Sequence, residues 1–454
     1  MKPFTLRDAL KAVEGRYVGD EAAMDSLIES VTSDSRVAGP GSLFIPLKGS
    51  HVDGHDFMAA CISAGAVATL SEREPAPNEQ PAIVVDSTVR ATGALAAWHR
   101  SRFDIPVIGI TGSVGKTTTK EMIAAVVSQR FQTHKTQKNL NNELGVPWTL
   151  MRLDDTHQVS VVEMGISDFG EMRRLTNMVR PDIAVFTVIG DAHLEFLGDR
   201  AGVMRAKGEI FEGMDAQGLA VLNVDDPIQR ACHPNMRRIT YGLSEGCDVR
   251  GADVRNLGED GMRMTVRHPD GAFEVRVPAF GSHLSCAALA AAAVGLALGM
   301  SGDEIARGIA RYQTVGDRAR VIHARGMTVV SDCYNANPNS CQAAVDSLMQ
   351  LQGKRRVCIL GDMLELGPRS EALHRSVGAY AAKAGVDLVV GCGPLSRAVA
   401  DGARDAGGEV LYFEDKARLL ASLADVVRPG DCVLVKASHS MAFEAFVEAL
   451  TGKA

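Results

Sequence analysis

No Cys-x-x-Cys pair occurs in the 454 residues, and the nine cysteines are scattered and odd in number. A disulfide framework and a zinc site of paired cysteines are both without support, and a reducing cytoplasm is the expected setting. A massed basic character is lacking too. The formal net charge is -7, whereas a nucleic-acid binder needs lysines and arginines concentrated enough to neutralise phosphates. Any anionic small substrate must then be gripped by local cations. The amino-terminal stretch has no apolar core of the kind an export signal needs, because Arg7, Asp8 and Lys11 interrupt it. The uncharged stretch from Leu284 to Met300 is Ala-rich and falls short of the ~20 strongly apolar residues of a membrane span, which predicts a buried helix and no membrane insertion. Short-period repeats and low-complexity tracts are absent.

What is present is ordinary globular material in quantity. Hydrophobic residues make up 46% and charged residues 23% of the chain, enough to build cores, and the length exceeds the ~250 to 300 residues at which one core stops growing. Apolar runs and loop signals divide the chain into an α/β protein of three domains. Residues 1–103 form the first, with a polar, proline-bearing loop from Glu72 to Gln80 ahead of a strand at Ala82 to Val85 and a helix through Trp98. Residues 104–313 form the second, where Pro106 to Ile110, Val159 to Val162, Ile183 to Val188 and Leu219 to Leu222 read as strands of a mostly parallel sheet alternating with helices. Residues 314–454 form the third, a Rossmann-like unit with strands at Thr328 to Val330, Val357 to Leu360, Leu388 to Val390, Val410 to Phe413 and Val433 to Val435.

The strongest chemical signal opens the second domain. VIGITGSVGKTTTKE places a strand, a glycine turn and a helix in the order of a phosphate-binding loop running from Thr111 to Thr118. Gly112 and Gly115 let the backbone N–H groups of Ser113 and Val114 close around phosphate oxygens; Lys116 supplies a point charge to the β and γ phosphates; Thr117 can bind Mg²⁺, and Thr118 completes the loop. Ile110 stands where the usual pattern has its first glycine, so the loop is a variant, T-G-S-x-G-K-T-T. The implied ligand is ATP. Magnesium takes hard oxygen donors, and Glu163, at the end of VSVVE, is a candidate partner; in isolation it reads more often as a solvated strand-end charge, and its place after a parallel strand beside the phosphate loop gives it weight. His193, in IGDAHLEFLG, also follows a strand, and a structural role is the competing reading.

The segments TGSVGKTTTKE, KNLNNELGVP, SDCYNANPNS and GDMLELG together make the chain resemble the Mur ligase family, ATP-dependent amide-forming enzymes of bacterial peptidoglycan synthesis, almost from end to end. Within it the Tyr-Asn-Ala-Asn-Pro segment and the absence of Asp-Asn-Pro-Arg imply the branch that joins D-alanyl-D-alanine to a UDP-N-acetylmuramoyl tripeptide, acting as a monomer. The resemblance makes the first domain a UDP-sugar-binding unit that uses Ser35, Arg36 and Lys48, although a capped turn with surface charges explains the same residues. It places Asn139, Asn141 and Asn142 in the central substrate site. It assigns Glu163 and His193 to magnesium and makes Lys207, in RAKGEI, a carbamylated lysine that holds a second Mg²⁺; taken alone, Lys207 reads as an exposed helix charge. Arg318 and Asp332 are implied to reach ATP from the third domain, and Asn335 and Asn337 are candidates for orienting the dipeptide or the acceptor peptide.

Two departures from the family pattern bear on the nucleotide base. Where H-N-x-x-N is expected the chain reads His283, Leu284, Ser285, Cys286, Ala287, and where K-G-S-R is expected it reads Lys436, Ala437, Ser438, His439. Neither touches the phosphate or metal positions. Two rivals follow: another amide ligase of the same superfamily, acting on a different muramyl or folylpolyglutamate substrate, and a nucleotide-binding homologue without turnover, which the intact set Lys116, Thr117, Glu163, His193 and Lys207 counts against.

Overall fold

The computed structural model describes residues 1–281, 284–316 and 318–452. Its strands fall into one small pair and three larger sheets, each followed in the chain by the next. The first larger sheet runs Arg16–Val18, Ala82–Val84, Ala68–Ser71, Ser42–Phe44, Ser30–Thr32, parallel except at the Arg16–Val18 edge. The helix Thr88–Ser101 then leads toward the second domain.

The second sheet has nine strands. Seven of them, from Thr133–Lys135 at one edge to Val249–Asn256, pair in parallel, and the hairpin Met262–His268 and Gly271–Val277 continues the sheet antiparallel. Parallel strands covered on both faces are built from unbroken apolar runs. Val107, Ile108 and Ile110 have no exposure at all, and each contributes roughly 1.5–3 kcal/mol on burial. The uncharged stretch is the helix Leu284–Ala297, with eleven of its fourteen residues buried. It packs on the helix Lys116–Val127, and its alanines keep the two backbones close, which braces the phosphate-loop helix. Among the described residues no helix is long and apolar enough to cross a membrane.

The third sheet runs Arg320–Ala324, Met327–Asp332, Asp431–Lys436, Arg355–Gly361, Leu388–Cys392, Val410–Phe413, parallel but for its first strand. All nine cysteines are free thiols.

The strands that the apolar-run reading passes over are instructive. Met262–His268 alternates buried Met262, Met264 and Val266 with exposed Arg263 and Arg267, so it contains no apolar run. Such a half-covered strand is visible only through its period of two.

Candidate active site

The strand Val107–Thr111 lies between Ile183–Phe186 and Val159–Glu163, so the turn after it emerges where three parallel strands end. Gly112 has φ 146°, and a Cβ there would lie 1.9 Å from Thr187 Oγ1; no larger residue fits. That close approach has a purpose. Thr187 Oγ1 donates to the Val114 carbonyl at 2.6 Å, and Ser113 N donates to the Val188 carbonyl at 2.7 Å, which pins the turn to the end of the neighbouring strand. Gly115 caps the helix Lys116–Val127 in the left-handed region. The helix therefore opens with free N–H groups and the positive end of its dipole toward the turn, a ready anion site.

Lys116 Nζ donates to the Gly112 carbonyl at 2.8 Å and weakly to Ser113 at 3.4 Å. Burial pushes its pKa below the ordinary lysine value; Glu163 partly offsets this and Arg318 adds to it. Thr117 Oγ1 donates to Glu163, 2.9 Å and 3.0 Å from its two oxygens, and Asn141 Nδ2 donates to Oε1 at 2.7 Å. Glu163 is 1% exposed and, among the described residues, has no cation at hydrogen-bonding distance. The solvated strand-end reading of this residue is excluded by its burial.

His193 follows the neighbouring strand with φ 53°. Its Nδ1 lies 2.6 Å from Glu365 Oε2 of the third domain. A carboxylate can only accept, so Nδ1 carries a proton, and in the neutral imidazole Nε2 keeps the lone pair. Burial, and then Lys207, lower the His193 pKa, with Glu365 opposing. Lys207 is 1% exposed, in the last turn of the helix Arg200–Gly208. The exposed-charge reading of it does not hold. Burial, and then Lys116, push its pKa well below the lysine value, and it makes no hydrogen bond or ion pair with a described residue. It lies outside the lining of the cavity described next. Among the described residues no cluster of three His, Cys, Asp or Glu side chains could hold a metal; the gathered donors are instead a hydroxyl, one carboxylate, one imidazole and an amine.

A cavity of about 540 Å³ opens above the loop, lined by 113–118, Asn141, Asn142, Glu163 and His193 from the second domain. The third domain supplies Arg318, Asp332, Tyr334, Asn335, Asn337 and Lys436. Lys436, 2% exposed, donates to Asp332 at 2.6 Å and to the Asn335 carbonyl at 2.8 Å. The pairing follows from strand register, since Asp332 and Lys436 are direct partners. The Arg318 guanidinium lies 3.8 Å from the Tyr334 ring centre, and Tyr334 stacks on His439 at 5.3 Å. Asn337 Oδ1 accepts from Ser340 N at 2.9 Å and caps the helix Pro338–Gln350, which leaves its amide N–H groups for a ligand.

Other expected residues are not brought together here. Asn139 does not line the cavity; Asn142 does, with its Oδ1 turned to Gly145 N at 2.9 Å. Ser35, Arg36 and Lys48 also lie outside it. Arg36 is exposed and paired bidentately with Asp34, at 2.8 Å and 2.7 Å, which lowers the Asp34 pKa to about 2. His283 lies outside the described residues, but Leu284 lines the cavity beside Phe280 and Tyr312. The wall at the first departure is thus apolar and aromatic. Sequence reasoning missed Tyr312, and used Tyr334, Asn339, Glu365 and Lys436 only as letters of motifs.

Comparison with known proteins adds identity to the geometry. The family description "Mur ligase family, catalytic domain" matches residues 27–105, "Mur ligase middle domain" matches 110–295, and "Mur ligase, glutamate ligase domain" matches 298–439. The chain is 37% identical to the UDP-N-acetylmuramoyl-tripeptide--D-alanyl-D-alanine ligase of Escherichia coli (strain K12), over 95% of this chain and 96% of that protein. Its fold is similar to a crystal structure of MurF from Acinetobacter baumannii, with TM-score 0.92, 33% identity and full coverage of both chains. It is also similar to the MurF ligase of Thermotoga maritima in complex with ADP, with TM-score 0.84 and 29% identity over 93% of this chain and 97% of that one.

Proposed function

This chain belongs to the Mur ligase family, and we propose that it joins D-alanyl-D-alanine to a UDP-N-acetylmuramoyl tripeptide with the energy of ATP, in peptidoglycan precursor synthesis. The observation that carries the reading is that the phosphate loop and Tyr334, Asn335 and Asn337, which come from different domains, line one cavity. The domains are taken as 1–103, 104–313 and 314–454, and the free thiols suit a cytoplasmic setting.

The terminal carboxylate of the tripeptide attacks the γ-phosphorus of ATP; a new C–O–P linkage forms, the bond to the bridging oxygen breaks, and ADP leaves. The dipeptide amine then attacks the acyl carbon, and phosphate departs from the tetrahedral intermediate as the amide forms and the amine loses its proton. Lys116, the helix N-terminus and Arg318 provide preorganised positive charge beside the transferring phosphoryl group, and this supplies most of the catalysis in such reactions. Asn335 and the free amide of Asn337 orient the incoming peptide. By the same reading Ser35, Arg36 and Lys48, on the first domain, serve the UDP-sugar end, and Asn141 and Asn142 serve the central acceptor site, with Asn139 outside the cavity lining.

The donor set fits magnesium: Glu163 is a buried carboxylate that, among the described residues, has no cation at hydrogen-bonding distance, and the Thr117 hydroxyl is within hydrogen-bonding distance of it. Thr117, Glu163, His193 Nε2 and a carbamate on Lys207 are the groups that would hold Mg²⁺. The ion supplies Lewis-acid neutralisation of phosphate charge.

Phosphate release with ATP, UDP-N-acetylmuramoyl tripeptide and D-Ala-D-Ala tests the function. Release is expected to depend on both the tripeptide and the dipeptide. Turnover with glutamate and a folate, and none with the dipeptide, would move the protein to the rival ligase class; no turnover with any acceptor would favour the noncatalytic reading.

The apolar wall at Leu284 predicts relaxed choice of base. Neither Leu284 nor Ala287 offers the paired donor and acceptor with which an asparagine reads adenine. ATP is expected to exceed GTP in kcat/KM by less than about a thousandfold, the factor that ~4 kcal/mol of edge recognition provides. A larger preference requires base-reading groups elsewhere in the cavity.

A further inference from the structure

The segment from Val188 to Gly198 carries His193, and the third domain holds it at two points. Asp191 N donates to Asn339 Oδ1 at 2.8 Å. The approach is so close that a Cβ on Gly190 would lie 2.4 Å from that oxygen. Three residues further on, Glu365 holds His193 Nδ1 at 2.6 Å, and the Glu365 carbonyl faces Glu195 N at 3.4 Å. His193 and Glu365 both have positive φ, 53° and 61°, a backbone state that non-glycine residues keep only when surroundings enforce it. The same segment also touches the nucleotide loop, because Ser113 Oγ donates to the Gly190 carbonyl at 3.2 Å.

A pair as open as this one, with His193 25% and Glu365 51% exposed, adds little to stability. What it fixes is orientation. Most imidazoles in water favour a proton on Nε2, whereas the Glu365 carboxylate forces it onto Nδ1 and leaves Nε2 as the donor nitrogen.

We propose that Asn339 and Glu365 are positioning residues, through which docking of the third domain sets the Gly190 to His193 segment, fixing the His193 tautomer and bracing the nucleotide loop at Ser113. The contact between the two domains is thereby made on the reacting loop itself. This rests on the ligase reading above for its consequence in turnover, but the tautomer does not.

Long-range ¹H–¹⁵N correlation spectra of the full-length protein, without nucleotide or metal, test it, with the His193 signals assigned by their loss in His193→Ala. Wild type is expected to show His193 with the proton on Nδ1, Glu365→Ala to shift it toward Nε2, and Glu365→Gln, whose amide oxygen still accepts, to keep it on Nδ1. In turnover, Glu365→Ala is expected to lower kcat at least tenfold with KM for the tripeptide within twofold, and Glu365→Gln to return to within about threefold of wild type. Asn339→Ala is expected to lower kcat too, and the double variant Asn339→Ala/Glu365→Ala to lose less than the product of the single losses, as residues acting on one segment do. An unchanged tautomer in Glu365→Ala, a Gln variant as impaired as the Ala variant, or fully multiplicative losses would each overturn the proposal. A wild type that shows the tautomer pattern but releases no phosphate would overturn the ligase reading alone.

Discussion

Lys116→Ala is expected to lower phosphate release by about 10³-fold or more, the scale on which one preorganised charge at a transferring phosphoryl group acts, while leaving the fold intact. The amine lies at the mouth of the helix Lys116–Val127 and is the one lysine of the loop. Its contacts are with two carbonyls of its own turn, so no distant packing depends on it. The sign of the stability effect follows from its pKa. Burial lowers that value in the folded protein, so folding disfavours the charged form; the lysine subtracts from stability as pH falls below its unfolded pKa, and the penalty is complete below the folded pKa. Alanine is therefore expected to melt at the same temperature as wild type or slightly higher, with an unchanged circular dichroism spectrum. A lysine with a mainly structural role would show the reverse, a lower melting temperature with activity in proportion to the folded fraction. Activity within tenfold of wild type would remove the loop from the mechanism.

What was legible in the sequence, and what was not, divides along the range of the interactions. Lys116, Thr117 and the two glycines are fixed relative to each other by a strand, a turn and a helix contiguous in the chain, so their spacing already implies their geometry. Glu163 is one step less local. It ends a parallel strand beside Val107–Thr111, and a strand-end carboxylate there must face the loop once the two pair, as the register of Glu163 against Ile110 does. His193 was harder, because the partner of its Nδ1 is Glu365, 172 residues away in the chain. Asn339 and Glu365 carried no signal of their own, since their role exists only when two domains meet. The Asp332–Lys436 pair, 104 residues apart, depends on strand order in the third sheet, which apolar runs locate but do not order. Burial of Lys207 was also hidden: Arg205, Ala206, Gly208 and Glu209 around it suggest a surface helix, and what covers it comes from elsewhere in the fold.

That burial motivates the second large effect. Lys207 is expected to be carbamylated in the active enzyme, and Lys207→Arg to lose at least about 100-fold in turnover although the positive charge is kept. A lysine enclosed to 1% exposure with Lys116 and His193 as neighbours is a poor place for an ammonium, because desolvation and like charge act in the same direction. The same environment favours the neutral amine, and only the neutral amine can add its lone pair to the carbon of CO₂; one N–C bond forms, one amine proton leaves, and a cation site becomes an anion with two oxygens. An arginine stays charged at all accessible pH and cannot follow. Because burial and then Lys116 lower the pKa of Lys207, the neutral amine persists to lower pH than in an ordinary lysine; as pH falls through that lowered value it protonates and the carbamate is lost. Turnover should then fall on the acid side and recover in part with added bicarbonate. Labelling with ¹³C-bicarbonate is expected to give a carbamate carbon signal in wild type that disappears in Lys207→Arg, and the wild-type spectrum decides the matter even if the variant folds poorly. A wild type that turns over with no such signal, or an arginine variant of full activity, would return Lys207 to a purely structural role and require another oxygen donor for the proposed second magnesium.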